Sequence, residues 1–173
     1  MKPIFHYSIF IIQYSLFTLS LGWCQDCTAG DCIEGYGNYI YEDGSKYMGM
    51  FMESKKSGEG IFIYPDGSQY IGYFEDDKMH GIGTFTFSNG SVYSGDFVNG
   101  ISHGEGVFTF PDGTVYEGEF KNGKKNGQGV FIMSNGNQFS GSFNDGVLNG
   151  SGSWLGENGD AYTGNFQEGL FHR

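Results

Sequence analysis

From Tyr47 the chain repeats every 23 residues without a slip, the units opening on Tyr47, Tyr70, Tyr93, Tyr116, Phe139 and Tyr162. Each opening aromatic is followed two residues on by Gly (Gly49, Gly72, Gly95, Gly118, Gly141, Gly164) and four residues on by Phe (Phe51, Phe74, Phe97, Phe120, Phe143, Phe166). A Gly-x-Gly pair comes next (Gly58/Gly60 in the first unit, Gly150/Gly152 in the fifth), then an Asp-Gly or Asn-Gly step such as Asp66-Gly67 or Asn89-Gly90. A short, strict period of this kind excludes a single globular core and requires an array in which each unit contacts only its neighbours.

Period-two alternation identifies the repeated element as a strand. In Tyr70-Ile71-Gly72-Tyr73-Phe74, residues 70, 72 and 74 share one face and 71 and 73 the other, and Gly81-Ile82-Gly83-Thr84-Phe85 puts both glycines with the aromatics. A glycine leaves room for a ring of the adjoining strand to lie flat on its backbone. Each glycine weakens a strand by about 0.5–1 kcal/mol, while a fully buried Phe contributes roughly 1.5–3 kcal/mol, so the aromatics prevail. A single hairpin does not outweigh chain entropy, and stacking of units must supply the rest. The expected fold is all-β: one elongated antiparallel ribbon of stacked 23-residue hairpins, about twelve strands, with a loop such as Glu75 to His80 joining the strands of a unit and the Asp-Gly or Asn-Gly turn leading to the next. Residues 35–46 form a half unit, 47–69, 70–92, 93–115, 116–138 and 139–161 full units, and 162–173 a half unit whose Tyr162–Phe166 strand lacks a partner.

Composition narrows the function classes. The chain has 31 glycines in 173 residues, 18% aromatics and a formal charge of −11. Abundant aromatics exclude disorder, and the acidic balance argues against nucleic acid, which needs a dense basic surface. Residues 1–24 differ from the rest: Lys2, then an apolar run from Ile9 to Leu21, then small residues at Ser20 and Gly22. This reads as a secretory signal peptide cleaved after Gly22 or Cys24, because the run falls short of the roughly 20 apolar residues that span a bilayer. A retained membrane anchor is the alternative. Residues 25–34 form a leader in which Cys27 and Cys32 are placed to close a small disulfide after export, two free thiols being the other reading.

The pattern Tyr-x-Gly-x-Phe, Gly-x-Gly and Asp-Gly at a 23-residue period resembles the MORN repeat (membrane occupation and recognition nexus) over residues 35 to 173. The sequence departs from it at Phe139, at three Asn-Gly turns, and at Ser54 and Asp77 where later units have Gly100, Gly123, Gly146 and Gly169. The resemblance implies an elongated β-sheet used for protein association, oligomerisation or membrane apposition. Some relatives join such arrays to lipid kinase or methyltransferase domains.

His80, His103 and His172 share a repeat position, but equivalent residues one unit apart lie roughly 9–10 Å from each other, too far to share an ion, so loop closure is expected and no metal. Glu117 and Glu119 share a strand face with Asp96 one unit earlier, yet an open ribbon has no water-excluding pocket, and neither catalysis nor a cofactor is expected. Lys55, Lys56, Lys78, Lys121, Lys124 and Lys125 all fall in the loop joining the two strands of a unit, along one edge of the ribbon; Lys55, Lys56, Lys78, Lys124 and Lys125 are candidate contacts for anionic headgroups. On the face opposite the paired aromatics, Met48, Met50, Ile61, Ile63, Ile71 and Tyr73 form an apolar stretch that the repeat does not demand, and further along that face turns to Ser94, Asp96, Glu117, Glu119, Ser140 and Ser142. The apolar stretch is a candidate protein-docking or self-association surface unless the leader folds back over it. The resulting expectation is an exported, non-catalytic scaffold for protein contacts in the cell envelope or outside the cell, with peripheral membrane contact as the competing class.

Overall fold

The computed structural model describes residues 34–172, so the expected signal peptide, the leader and the Cys27–Cys32 pair lie outside the described residues. One antiparallel sheet of thirteen strands runs strictly in chain order: β1 (Glu34–Ile40), β2 (Lys46–Met52), β3 (Lys55–Ile63), β4 (Gln69–Glu75), β5 (Lys78–Thr86), β6 (Val92–Val98), β7 (Ile101–Thr109), β8 (Val115–Lys121), β9 (Lys124–Ile132), β10 (Gln138–Asn144), β11 (Val147–Leu155), β12 (Ala161–Gln167) and β13 (Leu170–His172). The stacked-hairpin ribbon is the fold observed. One strand exceeds expectation: the chain turns back at Glu168-Gly169, and the backbone of β13 pairs with β12, so Tyr162–Phe166 has a short partner.

The turn within each unit is tighter than the expected loop from Glu75 to His80. β4 runs to Glu75 and β5 begins at Lys78, leaving Asp76 (φ 47°) and Asp77 (φ 69°) as a two-residue turn. Asn122-Gly123 and Glu168-Gly169 repeat it with both φ positive, the conformation that matches the right-handed twist of flanking strands. Between units the turn is wider. The Tyr64 amide donates to Ser68 O (2.8 Å), and Asp66 Oδ1 accepts from the Ser68 amide (2.9 Å). Those side-chain and backbone bonds from Ser68 hold the Asp66 carboxyl below the usual carboxylate range.

The two glycines of each Gly-x-Gly do different jobs, which corrects the expectation that both sit under aromatics. The first adopts positive φ (Gly81 at 62°, Gly104 at 64°) where the register shifts, between Gly72 and Phe74 for β4 against β5, as in a bulge opened by glycine. The positive φ interrupts the pleat, so a Cβ on Gly81 would face Tyr73 rather than a core ring. The second glycine is the seat of the ring. A Cβ on Gly60 would stand 2.5 Å from Tyr47 Oη and 2.6 Å from a ring carbon.

That seat lets a single-layer sheet bury its aromatics. Tyr47, Tyr70 and Tyr116 are 0% exposed. Tyr70 meets Phe74 of its own unit and Phe97 of the next edge-on, at centroid separations of 5.1 and 5.0 Å. Tyr47 with Phe74, Tyr93 with Phe120 and Tyr116 with Phe143 repeat the contact between units. Coupling between units therefore runs through this aromatic row as well as through the strand pairing of β3 with β4, β5 with β6 and β7 with β8. Each tyrosine hydroxyl donates to the carbonyl three residues on, as Tyr47 to Met50 O (2.9 Å) and Tyr70 to Tyr73 O (3.0 Å). A second row on the same face links Tyr41, Phe62, Tyr64, Phe85, Phe87, Phe108, Phe110 and Phe131 by tilted and stacked contacts.

Burial raises the phenol pKa of Tyr47, Tyr70 and Tyr93 above the ordinary value and that of Tyr116 to about 12. A folded-state pKa above the unfolded one contributes stability that is complete below the unfolded value, about 10, and is lost as pH rises through the folded value. Absorbance titration at 295 nm should therefore show these four rings ionising together with loss of far-UV circular dichroism as pH rises above about 10. Normal titration of all tyrosines with the sheet intact would contradict the buried row.

Candidate functional site

The face opposite the aromatic rows is open along the described sheet, and its side chains are not dictated by the repeat. Register brings the candidate docking residues into two cross-strand lines. Met48 pairs with Ile61 and Ile61 with Ile71, across β2, β3 and β4. Beside them Tyr36 pairs with Met50 across β1 and β2, and Glu59 with Tyr73 across β3 and β4. Met48, Ile71 and Tyr73 are exposed, Met50 and Ile61 are half-buried, and Ile63, paired with Lys46 and Gln69, is half-buried at the margin. Tyr73 donates its hydroxyl to Glu59 Oε1 (2.8 Å), which raises the phenol pKa through that bond and the neighbouring negative charge.

Sequence reasoning missed Tyr36 and Ile82, which are 68% and 70% exposed and extend the patch at both ends. Both occupy the middle position of a Gly-x-Gly, where other units carry Glu59, Glu105, Gln128 and Ser151. Reading that column down the repeats finds them: the residue stands between the two glycines and faces outward.

Further along, the open face changes chemistry. Glu105 lies directly opposite Glu119, with Asp96 and Glu117 nearby. Burial first, then these neighbouring charges, raises the Glu105 carboxyl pKa above its ordinary range. Glu119 Oε1 accepts from the Gln128 amide (2.9 Å), so this carboxylate caps the bulge of β9. Beyond it a shallow depression of about 570 Å³, lined mainly by glycines and small hydroxyl-bearing residues, lies over β9 to β12. Two of its hydroxyls meet, Ser140 Oγ and Ser153 Oγ at 2.7 Å, and Gln128 on its wall donates Nε2 to Ser142 Oγ at 2.8 Å. Among the described residues no group of three or more His, Cys, Asp or Glu is placed to hold a metal ion. His80 Nδ1 stands 3.3 Å from Glu75 Oε2 across the turn, and His103 pairs with Asp96 across β6 and β7.

Of the lysines expected in a loop, Lys55, Lys56, Lys78, Lys124 and Lys125 start strands and Lys121 ends β8, because the two-residue turn leaves no loop for them. Lys55 Nζ contacts Asp76 Oδ1 at 2.8 Å and Lys124 Nζ contacts Asp145 Oδ1 at 3.5 Å, each reaching the turn of the next unit. The Asp76 hydrogen bond raises the Lys55 pKa and lowers that of Asp76. Lys56 and Lys125 turn instead onto the aromatic face. Lys56 Nζ lies over the Tyr41, Tyr47 and Phe62 rings, hydrogen-bonds Tyr41 Oη (3.2 Å) and pairs with Asp77 Oδ1 (3.2 Å). Lys125 Nζ lies 5.1, 5.3 and 4.8 Å from the centroids of Phe110, Tyr116 and Phe131. Lys78 pairs with Glu75 in the β4–β5 register and is exposed. No helix among the described residues is long and apolar enough to cross a membrane.

Comparison with known proteins gives one family match. The family described as MORN repeat matches residues 33–46, 47–69, 70–92, 93–115, 116–138 and 139–161. No curated protein matches the sequence. Among solved structures, the TCP10 domain of Danio rerio CPAP is 15% identical, with 76% of this chain and 73% of that chain covered and a TM-score of 0.42. The Drosophila melanogaster SAS-4 (dCPAP) TCP domain, in complex with a proline-rich motif of Ana2, is 13% identical, covering 75% and 83%, with a TM-score of 0.41. Virginiamycin B lyase of Staphylococcus aureus is 14% identical, covering 82% and 58%, with a TM-score of 0.24.

Proposed function

The chain belongs to the MORN repeat family, and on that premise we propose that it is an exported, non-catalytic repeat scaffold that mediates protein association. The observation that carries this reading is the apolar stretch on the open face of β1 to β5. Met48, Ile61 and Ile71 are aligned across three strands, flanked by Tyr36, Met50, Tyr73 and Ile82. Positions equivalent to Met48 and Ile71 carry Ser94, Glu117 and Ser140 further along, so neither the sheet nor the aromatic seats need an apolar residue at those two places. Contiguous exposed apolar surface of this kind marks a contact site.

Changing Ile71 and Tyr73 together to Glu is the direct test. The variant should lose self-association by sedimentation, or capture of the cross-linked partner, while its unfolding free energy stays within about 0.5 kcal/mol, as expected for surface substitutions. Unchanged sedimentation together with unchanged capture would sink the reading. Export rests on Lys2 and the Ile9–Leu21 run; protein recovered from outside the cell should start just after Gly22 or Cys24.

The membrane-surface reading draws less support. Lys55, Lys56 and Lys124 are neutralised by Asp76, Asp77 and Asp145, and Lys125 faces the aromatic rings. A headgroup would have to displace those carboxylates.

A further inference from the structure

Lys56 and Lys125 occupy the same repeat position, 69 residues apart, and the array supplies its own comparison between them. Both ammonium groups lie over three rings that correspond one to one: Tyr41, Tyr47 and Phe62 for Lys56, and Phe110, Tyr116 and Phe131 for Lys125. The backbone that faces them is also the same. The Asp77 amide donates to Lys56 O at 3.1 Å, and the Gly146 amide to Lys125 O at 2.8 Å.

What differs is the polar partner. Lys56 has the Asp77 carboxylate and the Tyr41 hydroxyl. At Lys125 the corresponding residues are Gly146 and Phe110, so both oxygen partners are gone. Beside Lys125 lies a recess of about 240 Å³, lined by Phe108, Phe110, Phe120, Lys125 and Gly146 among others. A Cβ on Gly146 would meet nothing within 4 Å. The other described units avoid the difficulty by removing the charge, placing Met79, Ser102 or Leu148 at the lysine position.

We propose that Lys125 and this recess form a carboxylate-binding seat that takes an aspartate or glutamate side chain of a partner peptide. The incoming carboxylate occupies the place that Asp77 fills beside Lys56, where one oxygen meets the ammonium. The Phe108, Phe110 and Phe120 rings receive the apolar residues flanking it. Burial holds the Lys125 pKa below the ordinary lysine value, consistent with a cation whose counterion comes from outside. Aromatic faces attract an ammonium but do not accept strong hydrogen bonds as a carboxylate does. This seat lies on the face opposite the proposed docking patch, so the two readings stand or fall separately.

The test uses the full chain, with nitrogen-15 labelling, and two probes: acetyl-Leu-Asp-Leu-amide and its Asn analogue. The Asp peptide should shift the Lys125 and Gly146 amides saturably, and the Asn peptide should bind at least about tenfold more weakly, because the charge-assisted hydrogen bond is lost. Gly146→Asp should abolish binding by supplying the carboxylate internally. Asp77 already adopts φ 69° at the matching position, close to the 88° of Gly146, so the substitution suits the backbone. Should that variant fail to fold, Lys125→Met keeps the question open to decision, since Met79 shows that the array accepts Met there; it should fold normally and bind neither peptide. Equal binding of both peptides, binding retained in either folded variant, or shifts with inorganic phosphate but not with the Asp peptide would overturn the proposal.

Discussion

Tyr93→Ala is expected to lower the unfolding free energy by about 4 kcal/mol, in the range for emptying a large aromatic site. Tyr93 is 3% exposed, its ring stands 5.1 Å from Phe97 and 4.9 Å from Phe120, and its hydroxyl donates to Asp96 O at 3.0 Å. Phe120 belongs to the following unit, so the vacancy falls on the junction between units. In a one-dimensional array that junction is the nearest-neighbour term that makes unfolding cooperative. Urea denaturation should therefore resolve two transitions, one for strands before the vacancy and one for strands after it. Tyr93→Phe should lose only about 1 kcal/mol, the value of one hydrogen bond, and keep a single transition. Phe139 shows that the array accommodates the deletion of the hydroxyl. A single transition in Tyr93→Ala with a loss below about 1 kcal/mol would show that the junction lies elsewhere.

Gly106→Ala is expected to cost about 3 kcal/mol, at the upper end for overpacking. A Cβ there would stand 2.6 Å from Tyr93 Oη and 2.7 and 2.8 Å from two ring carbons. The ring has nowhere to go, because Phe97 and Phe120 hold it from the other sides. Strand propensity alone predicts the opposite sign, a gain of about 0.5–1 kcal/mol from replacing Gly by Ala. The double-mutant cycle with Tyr93→Ala separates the two effects: with the ring gone, Gly106→Ala should be neutral or stabilising. An equal loss in both backgrounds would mean that the glycine serves the backbone rather than the ring.

Much of this was legible because the relevant information is local and repeated. The 23-residue period, the alternation in Tyr70–Phe74 and the pairing of aromatics with glycines lead directly to a ribbon with its rings on one face. Met48, Met50, Ile61, Ile71 and Tyr73 could be placed on the other face by parity alone. Ile82 and Tyr36 lie on that face by the same alternation, each standing between the two glycines of a Gly-x-Gly; what alternation does not predict is the register shift that opens at the first of those glycines, as at Gly81. The same shift separates Gly81 from Gly83, one shaping the strand and the other seating a ring.

The sequence by itself determined the fold class, the repeat boundaries, the buried face and the change from apolar to acidic to hydroxyl-bearing residues along the open face. Each follows from periodicity, which every unit reports independently. The tertiary structure decided what residues 21 positions apart do to each other. Lys55 with Asp76, Lys56 with Asp77 and Lys124 with Asp145 meet only because the turns of successive units lie side by side. The sequence shows six lysines near one edge. Stacking assigns Lys55, Lys56 and Lys124 to carboxylates of the next unit and leaves Lys125 on aromatic rings, because a two-residue turn starts the strand at once and strand alternation turns every second lysine onto the aromatic face.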